Sequence, residues 1–452
     1  MRQMTDTPKN VTAILADFVL NSRFENIPED VKKESVRTLL NWMGVAVGGC
    51  KHESVDIVLK TMALSNRSGE ASILGRDEQT SGLNAALING ISSHVFDFDD
   101  THLATAIHPA GPIVAAILPI AEEKQISGAE FLHAMILGID VTCRLGQSVS
   151  PDHYSVGWHI SGTAGIFGAA AAASRLLGNN PQQTRWALGL AATQSSGMRE
   201  MFGSMCKSFH VGNAAKNGLM SAMLAGNGFT SSEQGIEAKR GWANVTSTKQ
   251  DYSFITEGLG EKFLISENSY KPFASGVVVH PGIDGCSQLR DEHDLKPGDI
   301  ESIALKVHPL VLELTGKDSP TTGLEGKFSI YHACAIAIQH GKGGEKEFSD
   351  EAVNDPIAVS LRRRVKPEID LDVPADAMGI TITTKDGRTC EKYIEKALGS
   401  LDNPISDEQM DQKTRDLCKP ILGSANTEKL INTCRNAAGL SNAADIVTAA
   451  TP

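Results

Sequence analysis

Three segments of the chain are unusually rich in alanine and glycine, namely Gly165–Ala173, Ala187–Ala192 and Gly212–Gly226. Small side chains let helix axes approach closely, so we expect these segments to form central helices rather than surface ones. Tight packing alone accounts for this composition, without any functional role. Because 452 residues exceed what one compact core usually accommodates, we expect two domains.

The first 260 residues carry apolar side chains at helical spacing. Thr7-Pro8 predicts the start of one helix, and the Asn26–Glu29 segment predicts the start of a second that ends near Gly48-Gly49. The same spacing predicts helices over Ser81–Phe96 and Gly128–Leu145. This half of the chain is therefore predicted to be helical.

The pattern changes after about Leu264. Alternating apolar residues predict a strand over Ile300–Val307. Asp386-Gly387 lies between two runs of strand-forming residues and predicts a hairpin that joins Gly379–Thr384 to Glu391–Ile394. Helical patterns occupy Lys327–His340, Asp350–Arg364 and the chain from Leu398 to Ala450.

These patterns predict a mainly α fold with an inserted α+β region. A large helical domain is expected from both chain ends, residues 1–265 and 398–452, with a smaller α+β lid domain at residues 266–397. A cleft between two such domains is a common place for a small-molecule site.

The net charge of -12 and the pI near 5.6 argue against nucleic acid or an anionic membrane as a partner. An anionic substrate would need a local cluster of positive groups. Met1–Asp6 has no apolar core, and the apolar stretch Pro112–Ala121 is only half a membrane span. We expect a soluble cytoplasmic protein; the mitochondrial matrix is the alternative for a eukaryotic source, although no transit peptide is evident.

The eight cysteines are scattered, and no two form a Cys-x-x-Cys pair. This spacing favours reduced, buried thiols and argues against a zinc knuckle or a ferredoxin-like iron–sulfur cluster. We therefore expect no metal and no cofactor.

Eight of the thirteen histidines fall between residues 94 and 280. The densest cluster combines His94, His102 and His108 with three carboxylates, Asp97, Asp99 and Asp100. Carboxylates this close repel one another unless cations, protons or hydrogen bonds relieve them. One interpretation is a solvated helix end, where Asp99 or Asp100 caps the next helix. The other pairs an aspartate with a histidine that acts in proton transfer.

An Asp-Asp-x-x-Asp motif on a helix would instead indicate the Mg²⁺-diphosphate site of isoprenoid synthases. Here Leu103 stands where the third carboxylate belongs, and no second acidic motif follows. The oxygen ligands that Mg²⁺ requires are therefore missing from the pattern.

Other clusters also carry groups suited to acid–base chemistry or anion binding. His159 precedes a helix start at which Ser161 or Thr163 can cap and free amides can bind a carboxylate. Lys207 and His210 share a helix face, with the lysine suited to clamp a carboxylate. Lys271 and His280 lie at the predicted domain junction, where a mobile lid would close over a substrate. A buried strand over Val277–Val279 accounts for the same pattern equally well. Tyr331 is either a core aromatic or a hydroxyl donor to the site.

In this order and spacing, the clusters resemble those of the MmgE/PrpD family, which includes 2-methylcitrate dehydratase, cis-aconitate decarboxylase and iminodisuccinate epimerase. The resemblance rests on the Asp-Phe-Asp-Asp-Thr, Trp-His-x-x-Gly-Thr, Lys-x-x-His-x-Gly-x-Ala-Ala and Lys-Pro…His-Pro segments. It implies a helical domain with an α+β lid, a homodimer, and proton transfer next to a carboxylate. The catalytic residues that it implies are Asp97, His108, His159, Lys207, His280 and Tyr331. Substrate-binding companions would be Thr101, Ser161, Thr163, His210 and Lys271.

Relative to the decarboxylase pattern, the Thr101–His108 loop has one extra residue, which displaces His108. We prefer His159 as the general acid/base, with Asp97 and His108 in support. The first hypothesis is a cofactor-independent lyase that dehydrates or decarboxylates a small di- or tricarboxylate. A dicarboxylate epimerase that works through the same carbanion is the close alternative, and a carboxylate-binding module without turnover is the third.

Overall fold

The computed structural model describes residues 10–62 and 69–452 and is mainly α, as the sequence predicts. The predicted helix start at Thr7-Pro8 and the Met1–Asp6 segment lie outside the described residues. The helices of the amino-terminal region are α1 (Val11–Asn21), α2 (Glu29–Gly49), α3 (Glu53–Met62), α4 (Gly82–His94), α5 (Ala110–Glu123), α6 (Gly128–Val149), α7 (Asp152–Val156), α8 (Ile160–Leu177), α9 (Pro181–Gln194), α10 (Cys206–Gly226), α11 (Trp242–Thr246) and α12 (Ser253–Thr256).

Helices α8 and α10 form the centre of this region and contact each other as well as α5. A Cβ added at Gly90 on α4 would lie 2.7 Å from the Cα of Gly212 on α10, and one added at Gly218 would lie 2.5 Å from the Cβ of Ala169 on α8. Only glycine permits backbones to approach this closely. The prediction of tightly packed central helices is confirmed for the segments in α8 and α10.

Within the described ranges, α8 is the one helix long and apolar enough to cross a membrane by composition, and 83% of that stretch is buried inside the protein. Such burial is typical of a core helix. The composition of α8 is explained by its contacts with α6 and α10.

The carboxyl-terminal region contains the helices α13 (His280–Glu292), α14 (Pro309–Thr315), α15 (Gly323–Gly326), α16 (Ile330–His340), α17 (Asp350–Val353), α18 (Pro356–Arg362), α19 (Asp407–Arg435) and α20 (Ala444–Ala449). The helix predicted over Asp350–Arg364 is divided into α17 and α18. Pro356 begins α18, and the Asp355 carboxylate accepts hydrogen bonds from the amides of Ile357 at 2.8 Å and Ala358 at 3.1 Å. An N-cap and a first-turn proline together mark a new helix start.

The strands are β1 (Ala71–Ser72), β2 (Gln79–Thr80), β3 (Asp100–His102), β4 (Asn268–Tyr270), β5 (Ile300–Val307), β6 (Val365–Ile369), β7 (Met378–Thr384) and β8 (Thr389–Ile394). The last four form one sheet in the order β6-β5-β7-β8. Strand β5 pairs in parallel with β6, with Ile303 opposite Val365, and antiparallel with β7, with Leu305 opposite Ile380. The hairpin predicted at Asp386-Gly387 joins β7 to β8, and Gly387 has a φ of +87°.

Helices α13 and α16 pack against this sheet and against each other. From the other end of the chain, α19 packs along α2, where Gly44 and Gly48 leave room for Thr414 and Leu417. The two ends of the chain are therefore in contact. The domain boundaries at 265/266 and 397/398 stay predictions.

Strands β3 and β4 form a small antiparallel pair that positions the candidate site. Asp100 lies opposite Tyr270, and Thr101 lies opposite Ser269. This pairing brings the acidic segment after α4 beside Lys271, which directly follows β4.

Candidate active site

A cavity of about 460 Å³ lies where α8, α10 and the β3–β4 pair meet residues of the carboxyl-terminal region. Most of the sequence-predicted site residues line it, namely Asp97, Thr101, His108, His159, Lys207, Lys271 and His280. Its remaining wall is largely apolar, with Phe202, Val277, Leu310, Leu314 and Phe328 among the lining residues. A polar cluster in an otherwise apolar cavity is typical of a small-molecule site.

Asp97 is the centre of the polar cluster. Its Oδ1 accepts hydrogen bonds from Lys207 Nζ at 2.6 Å and from Lys271 Nζ at 2.9 Å, and its backbone oxygen accepts a third from Lys271 at 2.9 Å. Three separate elements supply these groups, because Asp97 follows α4, Lys207 lies in the first turn of α10, and Lys271 follows β4. All three side chains are buried.

Two ammonium groups therefore share one carboxylate. Burial raises the pKa of Asp97, but Lys207 and Lys271 outweigh it and hold that pKa well below its ordinary value. Burial lowers the pKa of Lys207, and Asp97 opposes that shift. The local surplus of positive charge suits the binding of a substrate anion, as the negative net charge of the whole chain requires.

His108 is oriented by its backbone surroundings. Its Nδ1 donates to the backbone oxygen of Asp100 at 2.9 Å and lies 3.3 Å from Asp99 Oδ1. Its Nε2 lies 3.9 Å from Asp97 Oδ1. His108 thus lies at the cavity wall between the carboxylates of Asp97 and Asp99.

His159 immediately precedes α8 and lines the cavity. Its Nδ1 lies 2.9 Å from Nδ1 of His210, while its buried Nε2 has no hydrogen-bond partner among the described residues. Burial, followed by the charge of Lys207, holds the pKa of His159 well below its ordinary value. A neutral imidazole with one committed nitrogen and one free nitrogen is suited to proton transfer.

His280 is the first residue of α13. Burial, with a further contribution from Lys271, lowers its pKa to about 3. The strand considered for Val277–Val279 is wrong, because these residues form a 3₁₀ turn that leads into α13. Pro281 in the first turn of α13 favours this helix start over an extended chain.

Family models match almost the whole chain over this architecture. The MmgE/PrpD N-terminal domain matches residues 13–255, and the MmgE/PrpD C-terminal domain matches residues 273–437. The chain belongs to the MmgE/PrpD family.

Relatives of this MmgE/PrpD chain are named as decarboxylases or as decarboxylase-like. It is 26% identical to cis-aconitate decarboxylase of Homo sapiens over 469 residues, covering 97% of this chain and 94% of the relative. It is 25% identical to cis-aconitate decarboxylase-like protein oryM of Aspergillus oryzae over 455 residues, covering 94% of each chain. A cis-aconitate decarboxylase of Aspergillus terreus is 25% identical over 459 residues, covering 94% of this chain and 93% of the relative. These likenesses support an enzyme with a lyase-type role.

Three predicted substrate-binding residues and one predicted catalytic residue, Tyr331, do not line the cavity. Ser161 does not cap α8; its hydroxyl instead accepts a hydrogen bond from the backbone amide of His108 at 3.0 Å. Thr163 Oγ1 lies 2.7 Å from Nε2 of His153, also away from the cavity. The expected cap is wrong because the helix begins earlier, at Ile160, so that Ser161 and Thr163 already lie inside it.

The other two residues, His210 and Tyr331, also lie outside the cavity lining. His210 contacts His159 rather than the cavity. Tyr331, in the first turn of α16, packs partly buried against the core, outside the cavity lining. Thr101, by contrast, lines the cavity, with Oγ1 3.3 Å from His108 Nδ1. The catalytic and binding roles of all these residues stay predictions.

Two buried residues that were not predicted as catalytic or binding residues contact the segments around the cavity. His94, at the end of α4, bonds Asp99 Oδ2 through Nδ1 at 2.7 Å, and burial lowers its pKa to about 4. Lys413 comes from the distant helix α19. Its ammonium donates to Asn41 Oδ1 at 2.8 Å and to the backbone oxygens of Phe98 at 2.7 Å and Lys271 at 2.9 Å.

The acidic segment also has a geometry that a metal ion could use. Ligand atoms of His94, Asp97, Asp99 and His108 all lie within 4.8 Å of one another. However, Asp97 Oδ1 already accepts from two ammonium groups, and a cation placed there would face their charge at close range. Asp100 is committed elsewhere, since its Oδ2 accepts from Asn268 at 2.8 Å and from the amide of Ala110 at 3.2 Å. The contacts of this segment are thus those of a hydrogen-bonded cluster.

Proposed function

We propose that this MmgE/PrpD protein is a lyase that decarboxylates a small unsaturated tricarboxylate of the cis-aconitate type without a cofactor. One observation supports this most strongly. Two buried ammonium groups share the single carboxylate of Asp97, in a cavity that His108, His159 and His280 also line. The names of the relatives supply the choice of cis-aconitate.

Decarboxylation breaks the bond between a carboxyl carbon and its neighbour. CO₂ leaves, and the bonding electrons stay on the substrate, where a conjugated carboxylate delocalises them. One proton added to carbon then completes the product. The protein must therefore stabilise growing negative charge and supply one proton for each CO₂ released.

The cluster meets both requirements. Lys207 and Lys271 would hold substrate carboxylates and stabilise the charge that develops, because ammonium groups in a buried site act at low dielectric. His159, whose Nε2 is free, would supply the proton to carbon. His108 lines the same cavity, with Nε2 3.9 Å from Asp97 Oδ1.

The test is incubation of the purified protein with cis-aconitate in D₂O, followed by CO₂ measurement and by NMR of the product. We expect CO₂ release with one solvent deuteron incorporated next to a carboxylate. Exchange in a dicarboxylate without CO₂ would favour an epimerase instead, and loss of water from 2-methylcitrate would favour a dehydratase. Binding that stabilises the protein without exchange or product would indicate a carboxylate-binding module.

A matched pair of variants connects the reaction to the cluster. Lys207→Met removes one ammonium group from Asp97, whereas Lys216→Met removes a half-buried lysine from the same helix, outside the cavity lining. We expect CO₂ release to fall about 100- to 1,000-fold in Lys207→Met and to stay unchanged in Lys216→Met. The resemblance to the family also implies a homodimer, which stays a prediction.

A further inference from the structure

His210 contacts His159 and is not among the residues that line the cavity. The two Nδ1 atoms are 2.9 Å apart, although 51 residues separate the histidines in sequence. Glycines make room for the His210 ring, because a Cβ at Gly162 would lie 3.1 Å from His210 Cβ and one at Gly197 would lie 3.2 Å from its Cγ. The position of this ring is therefore fixed by close packing.

A contact between two Nδ1 atoms needs one proton between them. Two protonated nitrogens would repel, and two bare nitrogens would leave both buried acceptors without a donor. Burial lowers the pKa of His210 to about 4 and holds that of His159 well below its ordinary value, so both rings are neutral and each carries a single proton. The location of one proton therefore determines the location of the other.

Cys206 indicates the direction of this hydrogen bond. Its Sγ lies 3.7 Å from His210 Nε2, one helical turn earlier on α10. Because burial raises the pKa of the Cys206 thiol, the sulfur keeps its proton, and a thiol donates more readily to an imidazole nitrogen than it accepts. His210 Nε2 is then the acceptor, and its proton lies on Nδ1.

We propose that His210 is a positioning residue that donates from Nδ1 to Nδ1 of His159 and thereby keeps the His159 proton on Nε2, facing the substrate. The effect of this hydrogen bond on catalysis rests on the proposed function. When His159 Nε2 gives its proton to the substrate carbon, His159 Nδ1 takes the Nδ1 proton of His210, and His210 Nε2 takes the thiol proton of Cys206. Water reprotonates the thiolate, and the hydroxide that remains combines with the released CO₂ as bicarbonate. The reverse shift, in which His159 Nε2 takes a proton from water and Cys206 returns one to it, restores the resting tautomers. Neither ring becomes an imidazolate.

The groups that face His159 are consistent with this arrangement. The ring of His94 stacks at 5.8 Å, the ring of Phe202 meets it edge-on at 5.1 Å, and Lys207 contributes charge. Among the described residues, none of these bonds either ring nitrogen of His159. His210 is thus the group placed to select the tautomer.

The test uses the full-length protein with histidine labelled at its ring nitrogens, and heteronuclear NMR to read which nitrogen of His159 is protonated. The His159 signals are assigned by their loss in His159→Gln. We expect the Nε2–H tautomer in the unsubstituted protein and in His210→Asn, whose amide still donates. In His210→Leu, which has no donor, we expect a mixture of tautomers.

Kinetics provide the second readout. We expect His210→Leu and His210→Asn to lower kcat about 100-fold at nearly constant KM, because neither side chain passes on a proton. The control is His133→Asn, which alters a buried histidine that contacts Ser22 and Arg175 outside the cavity lining and should leave kcat unchanged.

Either readout can overturn the proposal. A proton on Nδ1 of His159 in the unsubstituted protein would do so, as would full kcat in His210→Asn. The tautomer measurement needs no substrate, so absence of turnover with cis-aconitate would overturn the proposed function while the tautomer still decides this inference.

Discussion

Lys207 Nζ lies 2.6 Å from Asp97 Oδ1, although 110 residues separate them along the chain. The contact is buried and is shared with Lys271, so it joins three segments at one carboxylate. A buried pair of this kind is weak support for stability on its own, because desolvation offsets much of the attraction. Its surplus ammonium group is better explained by the anion that the cavity would bind.

Replacing the shared carboxylate of Asp97 should therefore destabilise the folded protein. In Asp97→Asn, two buried ammonium groups lose their counterion, and we expect the free energy of unfolding to fall by about 3–5 kcal/mol. Urea denaturation at neutral pH measures this loss. The control is Asp376→Asn, which alters a half-exposed carboxylate in the cavity lining that pairs with Lys396 and should change stability by less than about 1 kcal/mol. Equal effects of the two substitutions would contradict the role given to Asp97.

His280 should make stability depend on pH. Its folded pKa of about 3 lies below the ordinary 6.5, so below pH 6.5 the unfolded chain binds a proton that the native ring does not. The stabilising contribution is present above pH 6.5 and is lost as the pH falls towards 3. Between pH 6.5 and pH 3, we expect the free energy of unfolding to fall less steeply in His280→Asn than in the unsubstituted protein. The difference in slope should reach up to about 1.4 kcal/mol per pH unit. Parallel pH profiles from urea denaturation would contradict this account.

Lys413 should act on the site from a distance. Its substitution by methionine leaves three buried oxygens without a donor, two of them in the backbone of Phe98 and Lys271, next to or within the residues of the Asp97 cluster. We expect Lys413→Met to lower the free energy of unfolding by about 3 kcal/mol and to lower kcat as well, since the loop that carries Asp97 is no longer held. Lys419→Met, at an exposed lysine of the same helix, should have neither effect. Thermal unfolding and turnover assays on both variants provide the comparison.

Removal of metal ions should leave the reaction unchanged. Although four ligand atoms near Asp97 have suitable spacing, two ammonium groups already occupy the Oδ1 of that carboxylate. We expect full activity after dialysis against a chelator and no stoichiometric metal by elemental analysis. Activity that is lost on chelation and restored by a divalent ion would show that the cluster is a metal site.

Much of the architecture is predictable from local patterns. The glycines and alanines of α8 and α10 predict close packing because backbone approach requires small residues, and the Asp386-Gly387 pair predicts its hairpin because glycine at 387 adopts a positive φ. Strand β6 was missed because Pro367, with charged neighbours, lies inside it. Since β6 is an edge strand, it tolerates a proline, which has no backbone N–H to donate to a neighbouring strand.

The site is less completely predictable. The motifs around Asp97, His159, Lys207 and Lys271 are recognisable, and the structure brings these residues to one cavity. Lys413 carries no local signal, because it is one lysine among several in an ordinary helix and acquires its role only when α19 packs on α2. Whether Ser161 caps or supports His108 depends on where α8 begins, and local sequence does not fix a helix start to within one residue.

The central claim is that Lys207, Lys271 and His159 together stabilise a substrate carbanion and protonate it. Its most direct test is the fate of solvent deuterium when the protein is incubated with cis-aconitate in D₂O, with Lys207→Met and His159→Gln measured in parallel. We predict one deuteron next to a carboxylate for each CO₂ released, and loss of both signals in the two variants. CO₂ release with undiminished deuterium incorporation in either variant, or no exchange and no product with any carboxylic acid offered, would contradict the account.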